Sequence, residues 1–136
     1  MSPQDRPDAW TDAAALRGRR VLIVEDELLV ALETQALVTR IGAIVVGPYS
    51  RVAAALDAVR TLPVDAALLD VNLAGTQSFV IADALQERGI PFVFCTGYER
   101  DTVPPRFKNV DLVEKPMLPE AVIAALAEAV KTRAQS

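Results

Sequence analysis

The chain contains no histidine and a single cysteine. The first absence removes Ser-His and Cys-His nucleophilic pairs and every His-ligated metal site. The second leaves no disulfide framework and no thiolate metal spacing. Cys95 lies within the apolar stretch Phe92-Val93-Phe94-Cys95 and reads as a buried thiol, which suits a reducing compartment. No apolar run approaches the roughly 20 residues needed to cross a bilayer. The segment Met1 to Trp10 is polar, holds Pro3 and Pro7, and lacks the apolar core of a signal peptide. Lys and Arg are scattered along a chain of net charge −4, so there is no clustered positive charge for nucleic acid to engage. Repeats and low-complexity tracts are also missing. The expectation is a cytoplasmic protein with no membrane or nucleic-acid partner. Its chemistry must come from carboxylates, hydroxyls and lysines.

What is present is the makings of one globular core. Of 136 residues, 51% are hydrophobic and 24% charged. Residues 1–18 read as an extension, either flexible or a short helix over Ala9–Leu16 ended by Gly18. Trp10 could anchor it, and a flexible tail is the default at a terminus. Residues 19–136 form the domain. Five short apolar runs predict strands covered on both faces: Arg20–Val24, Ala43–Gly47, Asp65–Asp70, Pro91–Cys95 and Val110–Val113. Helical spacing separates them. Leu29, Leu32, Ala36, Leu37 and Ile41 precede a stop at Gly42. Ser50 is placed to cap a helix carrying Val52, Leu56 and Val59, which Pro63 ends. Ser78–Arg88 and Glu120–Arg133 complete the clear helices. A helix over Tyr98–Lys108 contains Pro104 and Pro105 and is expected to be short, irregular or mobile. Strand and helix in alternation predict an α/β fold, a flavodoxin-like (βα)5 arrangement. Its five-stranded parallel sheet should run in the order 2-1-3-4-5 with helices on both faces.

In such sheets, ligands gather beyond the carboxyl ends of the strands, where strands 1 and 3 adjoin. Strand 1 runs into Glu25-Asp26-Glu27, strand 3 ends at Asp70, strand 4 at Thr96 and strand 5 at Lys115. Glu25, Asp26 and Asp70 should therefore converge and repel unless a cation offsets them. Oxygen ligands with open water positions suit Mg²⁺. A carboxylate can accept a phosphoryl group as an acyl phosphate, a transfer that depends on positioning and charge. Asp70 would be the nucleophile, with Lys115 and Thr96 each binding a phosphoryl oxygen. Taken singly, each acidic residue reads equally well as a loop residue or helix cap, Thr96 as a turn former and Lys115 as a surface lysine. For Glu27 the loop or cap reading is the better one. The functional reading rests on four strand ends carrying these groups together.

These residues resemble the receiver domains of two-component response regulators. The resemblance runs from about Arg20 to Ala134 and is carried by four pieces. They are Val21-Leu22-Ile23-Val24-Glu25-Asp26-Glu27, Leu68-Leu69-Asp70-Val71-Asn72-Leu73, Cys95-Thr96-Gly97 and Glu114-Lys115-Pro116. It implies Asp70 as phosphoacceptor and Mg²⁺ held by Glu25, Asp26, Asp70 and the backbone carbonyl of Asn72. It further implies Thr96 and Lys115 on the phosphoryl group, and a cis Lys115–Pro116 bond aiming the ammonium. The family usually switches through its Thr and an aromatic residue three positions before the Lys. That position is Leu112 here, which has no hydroxyl and can pack inward or outward. Pro91-Phe92-Val93-Phe94-Cys95-Thr96-Gly97-Tyr98 is similar to the "FATGUY" subgroup, which lacks the same aromatic and has an unusual fourth helix. Gly97 and Tyr98 then belong to the switch segment, and the whole stretch Thr96–Lys108 is expected to rearrange.

The resemblance implies a single-domain response regulator and not an enzyme acting on other molecules. It would be phosphorylated by a sensor histidine kinase of HWE or HisKA2 type. It would signal through contacts with an unidentified downstream protein, as a monomer or weak dimer. Two rivals stand beside it. One is a pseudo-receiver, a binding module that is never phosphorylated. The other is a small Mg²⁺-dependent phosphohydrolase, disfavoured because Asp70 ends the third strand and the position two beyond it is Asn72 rather than Asp.

Overall fold

A computed structural model describes residues 7–97 and 103–134 of the chain. The first element is helix α1, Pro7–Leu16. Gly18 follows at φ +75°, the left-handed conformation that ends helices at low cost for glycine, and its N–H bonds Gly42 O at 2.8 Å. The sheet then begins with β1, Arg20–Val24. Next come α2, Leu28–Arg40; β2, Ile44–Tyr49; α3, Val52–Thr61; and β3, Ala66–Asp70. A two-residue hairpin follows, β4 (Asn72–Leu73) against β5 (Thr76–Gln77), which the sequence pattern did not reveal. The chain continues through α4, Phe79–Glu87; β6, Phe92–Thr96; a 3-10 turn, Pro105–Phe107; β7, Leu112–Glu114; and α5, Pro119–Ala134.

Five strands form one parallel sheet in the order β2-β1-β3-β6-β7, which is the expected 2-1-3-4-5 once the hairpin strands are set aside. Alternation along each strand sorts side chains into two cores. Val21, Ile23, Ala66, Leu68, Val93, Cys95 and Val113 face α2, α5 and α1. Leu22, Val24, Ala67, Leu69, Phe92 and Phe94 face α3, α4 and the 3-10 turn. Ala13 and Leu16 of α1 are buried in the first core, and Asp12 pairs with Lys131 of α5 at 2.6 Å.

Several local expectations shift. The α2 face that packs is Ala31, Thr34, Leu37 and Val38, while Leu29 and Leu32 are exposed. The helix is apolar over more than half its circumference, so periodicity alone left its phase undetermined. Arg51, not Ser50, occupies the N-cap of α3, and no side chain caps it. Strand β2 is an edge strand, partly buried rather than covered on both faces. It carries a cis Gly47–Pro48 bond, and Pro48 has no N–H to offer a ladder. Gly47 sits at φ +104°, where an added Cβ would meet Tyr49 N at 2.9 Å and Ile23 O at 3.0 Å. The irregularity this allows between Leu22 and Val24 brings Tyr49 O to the Glu25 N–H at 2.9 Å.

The last strand starts at Leu112 rather than Val110, because the Val110 N–H closes the preceding turn onto Phe107 O. Residues 98–102, and with them Tyr98, lie outside the described residues. In the described remainder of Tyr98–Lys108, the helical structure is one 3-10 turn, with Pro105 in its first turn where no N–H is needed. Phe107 fastens that turn. It is buried against Phe79, Phe92 and Phe94, and Arg106 makes a two-pronged pair with Asp83 of α4 at 2.9 and 3.0 Å.

Candidate functional site

Sheet register builds the site. Val24 pairs with Leu69, so the next residues, Glu25 and Asp70, emerge side by side. Asp70 pairs in turn with Cys95, and Thr96 pairs with Glu114. The Lys115 N–H bonds Thr96 O at 2.9 Å, tying the ends of β6 and β7 together. The Lys115–Pro116 bond is cis.

Asp70, Glu25 and Thr96 are buried, and Asp26 is half-buried. Glu25, Asp26 and Asp70 each present a carboxylate oxygen within 4.8 Å of the others. The Lys115 ammonium lies 2.8 Å from Glu25 Oε1, 3.0 Å from Asp70 Oδ2 and 3.2 Å from Glu27 Oε1. Burial, then the hydrogen bond and charge of Glu25, push Asp70 from 3.8 up to about 7, against the opposing pull of Lys115. Burial works against the Lys115 charge, but hydrogen bonds and charge from Glu25 and Asp70 outweigh it and raise its pKa. Burial, then the charges of Asp70 and Glu25, push the Cys95 thiol up to about 12, which makes it inert.

The loop after Asp70 is held from two sides. Asn72 donates its N–H to Asp70 Oδ1 at 3.3 Å, and its side-chain Oδ1 accepts the Gly75 N–H at 2.8 Å. The Ser78 hydroxyl, wholly buried at the start of α4, donates to Asp70 O at 2.5 Å and is shared with Val71 O at 3.2 Å. Asp26, Glu27, Asp70, Asn72, Gly97 and Lys115 line an open cleft above the strand ends. Leu112 pairs with Phe94 and packs inward on the core that holds Phe107.

The tertiary structure thus brings Glu25, Asp26, Asp70, Asn72, Thr96, Gly97 and Lys115 to one place. Two residues of the site read differently in sequence. Ser78 was legible as the start of a helix, but its hydroxyl turns back to the strand. Glu27 read as a loop residue or helix cap; it does occupy the N-cap of α2, but its side chain makes no capping bond and reaches Lys115 instead. The acidic run Glu25-Asp26-Glu27 was the available signal for it. The donor set suits a hard divalent cation. It offers oxygen ligands alone, three of them carboxylates, with one side open to water.

Comparison with known proteins agrees with this geometry. The family described as "Response regulator receiver domain" matches residues 21–127. The chain is 32% identical over 126 residues to the phyllosphere-induced regulator PhyR of Methylorubrum extorquens. That match covers 90% of this chain and 47% of PhyR, so the chain spans about half the length of that relative. The solution structure of SdrG from Sphingomonas melonis Fr1 is 39% identical with a TM-score of 0.72, covering 88% of this chain and 98% of SdrG. The BeF3-activated conformation of SdrG, from Pseudomonas melonis Fr1, matches at 39% identity and a TM-score of 0.71, over 84% of this chain and 98% of that one.

Proposed function

Since the chain belongs to the response regulator receiver domain family, we propose that it accepts a phosphoryl group from a histidine kinase on Asp70 and signals through protein contacts. The observation that carries this reading is the Lys115 ammonium between Asp70 Oδ2 and Glu25 Oε1, beside the three-carboxylate cluster. An Asp70 carboxylate oxygen is the nucleophile. Lys115 binds a phosphoryl oxygen and offsets the charge that arrives with it. Thr96, at the end of β6, supplies a hydroxyl to another oxygen. Glu25, Asp26, Asp70 and the Asn72 carbonyl are the groups that would hold Mg²⁺. When bound, Mg²⁺ supplies charge neutralisation at the phosphoryl oxygens. Ser78 and Asn72 hold the Asp70 backbone and carboxylate in place, so that positioning is largely complete before the donor arrives.

The readout runs through the segment between Thr96 and the Phe107 anchor, including Gly97 and Tyr98. Leu112 cannot serve as an aromatic switch. Similarity to SdrG, which has a BeF3-activated conformation, supports an Asp70-centred switch, and a kinase of HWE or HisKA2 type is the partner proposed. The test is incubation with acetyl phosphate and Mg²⁺, followed by mass spectrometry. The expected result is a hydroxylamine-labile gain of one phosphoryl group that Asp70→Ala abolishes. No gain and no Mg²⁺ affinity would favour the pure binding module.

A further inference from the structure

Lys115 donates hydrogen bonds to Glu27 Oε1 and Asp70 Oδ2 and is ion-paired with Glu25 Oε1, so a phosphoryl oxygen arriving at the ammonium must displace a carboxylate. The three partners differ in how readily they can. Glu25 is 4% exposed at its side chain and Asp70 is 7%, so displacing either leaves a carboxylate stranded in a poor solvent. Glu27 is 62% exposed and can turn to water at little cost. Its backbone is held independently, because its N–H donates to Glu25 Oε2 at 3.1 Å. It also lines the cleft that a phosphoryl donor must enter.

We propose that Glu27 is a charge gate on phosphorylation: it holds a Lys115 donor in the resting site and must yield it, while repelling anionic donors at the cleft mouth. This rests on the phosphoacceptor reading of Asp70. In the reaction, an Asp70 oxygen forms a bond to phosphorus as the donor's own bond to phosphorus breaks. With acetyl phosphate, acetate departs carrying the electron pair. With phosphoramidate, ammonia departs from a nitrogen that is already protonated. Lys115 then exchanges Glu27 for a phosphoryl oxygen. Glu27 is a positioning residue and touches neither bond.

The two donors differ in charge near neutral pH, acetyl phosphate being a dianion and phosphoramidate a monoanion. A gate made of charge must act more strongly on the dianion and fade with salt. The experiment compares initial rates of Asp70 labelling by both donors, at low and high ionic strength, in wild type, Glu27→Gln and Glu27→Asp. Glu27→Gln should speed labelling by acetyl phosphate about threefold or more at low salt, with a smaller gain for phosphoramidate and a smaller gain at high salt. Glu27→Asp should follow wild type, and Glu128→Gln on α5 should change nothing. Equal effects on both donors, or slower labelling of Glu27→Gln, overturn the gate and leave the phosphoacceptor reading intact. A wild-type protein labelled by neither donor overturns both.

Discussion

The Lys115 ammonium lies 3.0 Å from Asp70 Oδ2 although 45 residues separate the two in sequence. One positive charge thereby serves a buried cluster of acids. Replacing it, as in Lys115→Ala, removes a pre-positioned electrostatic donor, whose loss slows comparable reactions on the order of 100-fold. Labelling of Asp70 by acetyl phosphate should fall by about that much. The fold should survive, because Asp70 can take up a proton in place of the lost ammonium. Rates by mass spectrometry and a thermal melt check both halves.

The raised Asp70 pKa has a consequence for stability without metal. The folded form holds a proton up to about pH 7, whereas the unfolded carboxyl releases it near 3.8. Between those values the folded state binds more protons, so stability contributed by this group falls as pH rises. Above about 7 the contribution is flat. The melting temperature in EDTA should decline by several degrees across that window relative to Asp70→Asn, which has no such group to titrate. Adding Mg²⁺ should flatten the difference, because a bound cation favours the ionised carboxylate.

Phe107 is the anchor of the segment that follows the site. Its ring lies 5.5 Å from that of Phe94 at 76° and 5.9 Å from that of Phe79. Phe107→Ala should cost about 3–5 kcal/mol of stability, and Phe107→Leu considerably less. In wild type, amide exchange after beryllofluoride addition should change from Gly97 toward Phe107 and stay unchanged at Val110 and beyond. Unchanged exchange throughout that stretch would remove it as the readout.

The hydroxyl of Ser78 holds the backbone of Asp70. Ser78→Ala should leave Asp70 O and Val71 O without their buried hydroxyl donor, costing about 1–3 kcal/mol in a urea melt. Ser78→Thr retains the donor and should recover most of the loss.

Helix α1 belongs to the core. Leu16 is fully buried in the core that also holds Leu37, Ile41 and Val130. Leu16→Ala should destabilise the whole domain by about 2–5 kcal/mol. A helix that merely rested on the surface would give a loss within about 0.5 kcal/mol.

Much of the fold was legible because its signals are local. Continuous apolar runs marked the strands, glycines and prolines marked the stops, and the right-handed crossover rule left few sheet orders, of which 2-1-3-4-5 fits a chain this short. What the pattern left unsettled were matters of neighbourhood. Leu29 and Leu32 carry the same periodicity as Leu37, yet α2 turns them to solvent. Ser50 had capping chemistry but not the capping position. The Asn72–Gln77 hairpin is two residues a side, too short for any period to show.

The candidate site divides in the same way. By itself, the sequence determined which residues end the strands, and therefore that Glu25, Asp26, Asp70, Thr96 and Lys115 share one edge of the sheet. Residue order and strand length suffice for that. Only the tertiary structure decided what each side chain does there. It turned Glu27 from the helix toward Lys115, and the Ser78 hydroxyl from the helix toward Asp70. It also raised the Asp70 pKa by burying it against Glu25. Hydrogen bonds and desolvation depend on distances of a few ångströms between residues far apart in the chain, and those distances exist only once the two cores have packed.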